Sequence, residues 1–140
     1  VKRSPIHRRA HRSPVRRTGP APETVALVWE RDSGRCAACA GLCTGERGFD
    51  WSVQHRLRRG GGGTRRGWVN LPGNLVLLHG HGSSLCHGDV EGNPAWARER
   101  GYRVDDGQTR PADTPIDHAV HGRVLLADDG TWTEAPCESS

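Results

Sequence analysis

Short stretches with an apolar rhythm alternate along the chain with stretches that have none, and each rhythm predicts an element. Pro20 and Pro22 lead into Glu23–Asp32, where Val25, Val28 and Trp29 share one side of a helical period and Glu23 occupies the first turn. This predicts a short amphipathic helix ending near Gly34. Phe49, Trp51, Val53 and His55 alternate with Asp50, Ser52 and Gln54, which predicts a strand closed by Gly60–Gly63. The run Asn74-Leu75-Val76-Leu77-Leu78 suits a second strand or a short helix equally, because unbroken apolarity carries no period. Residues 88–100 read as a helix interrupted by Gly92 and Pro94, followed by an acidic loop. Val124–Ala127, Asp129-Gly130 and Thr131–Glu134 resemble a β-hairpin with an Asp-Gly turn. Residues 1–19 mix Arg, Ser, Pro and His without hydrophobic periodicity, so they are expected to form a disordered basic arm. The expected class is α+β, with the arm at 1–19, one domain over 20–104 and an acidic C-terminal extension over 105–140.

Composition narrows this picture. Of 140 residues 34% are hydrophobic, and the 19 glycines bury little, so the core is thin. Domains with thin cores lean on metals or disulfides, and five Cys beside eight His make a metal the first candidate. No apolar run exceeds five residues, which argues against a membrane span or a secretory segment and leads us to expect a cytoplasmic chain with reduced thiols. Charge is graded: residues 1–22 carry +7, 23–104 carry +3 and 105–140 carry −6. A front so basic suits a polyanionic partner.

Cys36-Ala-Ala-Cys39 has the spacing at which one turn supplies two corners of a tetrahedral zinc. About forty residues later, His79-Gly80-His81-Gly82-Ser83-Ser84-Leu85-Cys86 offers imidazole and thiolate donors. The expected structural zinc set is Cys36, Cys39, His79 and Cys86, with His81 as the rival of His79. Cys43 and Cys137 read as free thiols. A redox dithiol at Cys36 and Cys39 is the competing reading, although the βαβ context of such a motif is missing.

Four stretches, CAAC (36–39), VQHRLRRGGGGT (53–64), NLPGNLVLLH (70–79) and SLCHGDVEGN (84–93), occur in an order that resembles the HNH endonuclease family, especially its small phage-type members. The resemblance spans roughly residues 23–104. It implies a ββα-metal (His-Me finger) core with a strand bearing the first histidine, a loop bearing the asparagine and a helix bearing metal ligands. Position by position, it makes His55 the general base, Asn74 the asparagine that orients the base's loop, and His87 a ligand of a catalytic cation. Glu91, one helical turn after His87, would face the same cation, which could be Mg²⁺, Mn²⁺, Ni²⁺ or Zn²⁺. Two positions depart from the pattern. Gln54 stands where the family has Asp, Glu or His as a further ligand, and a neutral amide is a weaker ligand for a hard cation. His79 stands where the phage-type proteins tend to have Cys, which leaves a mixed Cys/His zinc site.

The resemblance implies a metal-dependent endonuclease that nicks or cuts DNA, acting beside phage terminase or packaging proteins, or as a homing enzyme, in a bacterial host cytoplasm. The alternative is a non-catalytic, zinc-stapled DNA-binding module. Arg56, Arg58, Arg59, Arg65 and Arg66 flank the glycine run next to His55 and are expected to hold phosphates. Trp51, Trp68 and Trp96 read as packing residues ahead of base-stacking ones.

Overall fold

The structure is a computed structural model that describes residues 18–59, 66–105 and 109–138. Arg65, the glycine run and most of the expected basic arm lie outside the described residues. Helix α1 (Pro22–Arg31) begins on Pro22 and buries Val25, Val28 and Arg31, three residues apart each time. Trp29 leaves that face and packs its ring against Trp51, with centroids 4.9 Å apart. Past its end at Arg31 the chain turns away through Ser33 and Gly34, at φ +54° and +64°, and a Cβ on Gly34 would sit 2.6 Å from the Trp29 ring, so no larger residue fits there.

Strand β1 (Trp51–His55) pairs antiparallel with β2 (Leu75–His79) in the register Trp51↔His79, Val53↔Leu77 and His55↔Leu75. The apolar run is therefore a strand, entered through a 3-10 turn at Pro72–Asn74. Leu75, Val76, Leu77 and Leu78 are all fully buried, which explains why the sequence shows no alternation there. Helix α2 (Leu85–Gly92) packs on β2. The interrupted helix of the sequence is two helices, α2 and α3 (Pro94–Glu99), because Asn93 leaves helical geometry (φ −128°, ψ 70°) and Pro94 starts a new one.

A second antiparallel sheet has the order β3 (Ile116–His118), β4 (Gly122–Leu126), β5 (Trp132–Glu134). The β4–β5 hairpin turns at Asp129 and Gly130, where Asp129 Oδ1 accepts from the Thr131 N–H and hydroxyl. This segment is no separate extension. Ile116, Val124 and Leu126 are fully buried in one cluster with Val28, Leu75 and Leu77, each side chain contributing about 1.5–3 kcal/mol. The Ala119 N–H also donates to the Ala37 carbonyl at 2.7 Å, tying β3 to the cysteine knuckle. The chain is thus a small mixed α+β fold with two small sheets on a shared core. Among the described residues no helix is long and apolar enough to cross a membrane.

Candidate functional site

The cysteine pair sits on a knuckle. The Cys36 N–H donates to the Gly41 carbonyl and the Ala40 N–H to the Cys36 carbonyl, so both thiols come to one side of a tight turn. His79 ends β2 and Cys86 lies in the first turn of α2, and the donor atoms of Cys36, Cys39, His79 and Cys86 all lie within 4.8 Å of one another. A Cβ on Gly41 would stand 2.8 Å from His79 Cε1, so glycine is what lets the ring approach the knuckle.

Tautomer decides whether this cluster suits a metal. His79 Nε2 lies 2.9 Å from the Leu42 carbonyl, which can only accept, so the proton is on Nε2. Nδ1 is left with its lone pair, 3.1 Å from Cys39 Sγ. An imidazole whose far N–H is held by a carbonyl is the usual arrangement of a metal-ligating histidine. Electrostatics agree. Burial and the neighbouring sulfurs of Cys36 and Cys39 push the Cys86 thiol up to about 12. Burial also raises Cys36, while at Cys39 hydrogen bonds from Gly41, Cys36, Cys86 and His79 outweigh burial and lower it. Three sulfurs so close together ionise jointly only around a cation, and this Cys3His set could hold a metal ion. His81 stays outside the set, with its ring 6.0 Å from that of Phe49. Cys43 is buried and pushed up to about 12, above all by burial, and Cys137 is exposed.

Asp32, His118 and His121 form a second cluster of possible donors, and the same reasoning separates it from the first. His118 Nδ1 accepts from the Val120 N–H at 3.2 Å, so its proton is on Nε2; His121 Nε2 donates to the Arg31 carbonyl at 2.9 Å. Neither nitrogen facing Asp32 has a lone pair to give. This cluster is a buried polar lock: Asp32 accepts two bonds from Arg31 at 2.7 Å, and His118 Nε2 stands 3.1 Å from Asp32 Oδ1. That nitrogen is within reach of the carboxylate but off the direction of a good hydrogen bond. Burial works to raise the Asp32 carboxyl, and Arg31 and His118 outweigh it and hold it below the ordinary value. Arg31 also donates to the Pro72 and Leu75 carbonyls, so the lock joins α1, the entry to β2 and β3.

Strand β1 sorts the remaining candidates by parity. Ser52 and Gln54 face α2: Ser52 Oγ is 2.6 Å from His87 Nδ1, and the Gln54 amide donates to Glu91 Oε1 at 3.1 Å. His87 Nε2 and Glu91 Oε1 are 4.0 Å apart, one turn along the helix, and the other Glu91 oxygen is paired with Arg58. Gln54 is therefore placed as a donor to Glu91. His87 lies below the ordinary imidazole value, chiefly because it is buried.

His55 points to the other side of the strand, where its Nε2 is 2.8 Å from Asn70 Oδ1. Asn74 lies beneath the loop between β1 and β2. Its Oδ1 accepts from the Leu57 N–H at 2.7 Å and its Nδ2 donates to the Leu57 and Val69 carbonyls at 3.1 and 2.9 Å. One buried side chain thus fastens both ends of the loop that follows His55.

The arginine set needs one correction. Arg56 is completely buried, so it cannot reach a phosphate. It donates to the carbonyls of Gly101 (2.7 Å), Gly73 (3.2 Å), Pro111 (2.8 Å), Thr114 (2.7 Å) and Pro115 (3.4 Å). Burial, with Arg31 nearby, pushes its guanidinium down to about 9, still charged at neutral pH. Its parity with Ser52 and Gln54 turns it inward. Arg58 is exposed and paired with Glu91, and Arg59 pairs with the Thr18 carbonyl. Arg66 is exposed, with its guanidinium 5.5 Å from the Trp68 ring and that of Arg110 5.3 Å from it. Trp51 packs on Trp29, and Trp96 packs on Tyr102. Sequence reasoning missed Asn70 and the Asp32 lock; only the Pro72 turn signal marks the neighbourhood of Asn70, and nothing in it names a partner. No family model matches the chain, and no curated protein or solved structure matches it.

Proposed function

We propose that this chain is a metal-dependent endonuclease of the HNH class, with a ββα-metal core formed by β1, β2 and α2, acting on DNA. The observation that carries the reading is the arrangement about β1: an imidazole at its end, a buried asparagine fastening the loop beyond it, and a His–Glu pair on the helix that follows β2. The Cys3His donor set fits a structural Zn²⁺, which favours sulfur and nitrogen ligands in tetrahedral sites. His87 and Glu91 would hold a divalent cation between them. When bound, that cation supplies positive charge for the scissile phosphate and the leaving oxygen.

The chain's own residues do the rest. His55, which burial keeps neutral near pH 7, takes a proton from water as the water oxygen bonds to phosphorus. The bond from phosphorus to the leaving oxygen breaks, and that oxygen takes a proton from solvent. Ser52 fixes the His87 ring through Nδ1, and Asn74 keeps the loop after His55 in place. Arg59 and Arg66 would contact the DNA backbone in this reading.

Nicking of supercoiled plasmid tests this. Conversion is expected with Mg²⁺, Mn²⁺ or Ni²⁺, and none with EDTA or in His55→Ala. The competing reading is a DNA-binding module without chemistry, which the engagement of Glu91 by Gln54 and Arg58 favours. Tight DNA binding with no nicking under any of these metals would establish it instead.

A further inference from the structure

The proton on His55 can be located without reference to any reaction. Asn70 Nδ2 stands 3.3 Å from the Thr18 carbonyl oxygen, and a carbonyl only accepts. The amide of Asn70 is therefore turned with its nitrogen to Thr18 and its oxygen to His55. That oxygen is likewise only an acceptor, so the His55 Nε2 that lies 2.8 Å from it carries the hydrogen. The neutral ring then has its lone pair on Nδ1. The Thr18 carbonyl is itself held by Arg59, the residue whose charge also acts on His55.

We propose that Asn70 is a positioning residue: held by the Thr18 carbonyl, it fixes His55 as the Nε2–H tautomer and thereby makes Nδ1 the atom that accepts the proton of the attacking water. This rests on the nuclease reading above and adds to it a residue and an atom. Without an acceptor at Asn70, the two neutral tautomers differ little in energy and the ring is free to turn, so a share of the molecules presents N–H where a lone pair is required. The tie to Thr18 also means that residues directly after the basic stretch 1–17 take part in holding the base.

Two measurements separate the tautomer from the chemistry. Long-range ¹H–¹⁵N imidazole spectra at alkaline pH, with His55 identified by its loss in His55→Gln, are expected to show protonated Nε2 in the native protein and a mixture in Asn70→Ala. Plasmid nicking is expected to show kcat lower by roughly 10- to 100-fold in Asn70→Ala, the usual range for losing an orienting partner, with KM within twofold. Asn70→Asp keeps an acceptor, so it should keep the tautomer. Its carboxylate also favours the imidazolium, so the acid limb of its pH–rate profile should move to higher pH. Zinc content and the amide spectrum check that each variant is folded; if Asn70→Ala is not, the native spectrum and Asn70→Asp decide. A native His55 protonated on Nδ1, an unchanged tautomer in Asn70→Ala, or an altered tautomer with unchanged kcat overturns the proposal. A native protein that nicks nothing overturns the nuclease reading and this role with it, even where the spectra show Nε2–H.

Discussion

Replacing Arg56 by leucine removes the donor from five carbonyls at once. Three of the bonds, to Gly101, Pro111 and Thr114, are 2.8 Å or shorter. A hydrogen bond to a charged group contributes about 1.5–3 kcal/mol, so the gross loss is large. It is offset by no longer burying a guanidinium, which costs several kcal/mol. The net destabilisation expected is about 3–5 kcal/mol, because each buried carbonyl left without a donor costs about 1–3 kcal/mol. Against a total of about 5–15 kcal/mol for a typical domain, Arg56→Leu should fold poorly or not at all. Arg56→Lys sharpens the test, since it keeps the charge but has one nitrogen where the carbonyls are spread around a fork. Urea unfolding at fixed zinc, followed by circular dichroism, reads both variants. An unfolding free energy for Arg56→Leu within about 0.5 kcal/mol of native, together with weakened DNA binding and a flatter salt dependence, would refute the buried role and restore the phosphate contact.

Four further outcomes are expected. Metal analysis should find one zinc per folded chain, and Cys39→Ser should lose it and unfold, because metal-binding energy is folding energy in a core this thin; folded protein free of zinc would contradict this. Gln54→Asp places an anionic oxygen beside His87 and Glu91, so the metal concentration for half-maximal nicking should fall more than the rate at saturating metal changes; a higher metal requirement would show that the cation lies elsewhere. Burial above all, and Arg59, hold His55 below 6.5 against the opposing bond from Asn70, so nicking should stay flat through neutral pH and decline only below 6.5. His121 is also lowered, chiefly by burial, so the unfolded chain binds more protons than the folded one below 6.5. Its contribution to stability is complete above 6.5 and fades as pH falls, and urea midpoints from pH 5 to 8 should slope less in His121→Gln than in the native protein.

Periodicity made α1 and β1 legible, because apolar and polar residues alternate along them at the helical and the strand period, and the Asp-Gly turn marked the β4–β5 hairpin, whose second strand is wholly exposed. β2 was ambiguous for the opposite reason: both of its faces are dry. β3 has three residues, too few for a period, and its place in the core comes from pairing with β4. The Cys36–Cys39 pair could be read from spacing because a knuckle is local, whereas His79, and not His81, joins the thiols only through the folded position of the end of β2, which no spacing reveals. Arg56 was misread because its neighbours Arg58 and Arg59 make a charge run look solvated, although counting in twos from Ser52 already turns it inward. Asn70 and the Asp32 lock join residues 15 and more than 80 positions apart, and such pairings exist only once the chain has folded.

The carbonyls that Arg56 serves are distributed unevenly along the chain, and this sets an order on synthesis. All four donors of the Cys3His cluster have been made once Cys86 is, whereas Pro111, Thr114 and Pro115 come 25 or more residues later, roughly one to five seconds at ribosomal speed. In that interval a zinc-bearing β1–β2–α2 unit would carry a guanidinium with nowhere dry to go, and would stay open on the side that the second sheet closes. Arrival of the Pro111–Pro115 segment therefore commits the nascent chain to its final form. Chains halted after residue 110 should still bind zinc yet be cut rapidly by a protease, while chains carried through residue 138 resist it.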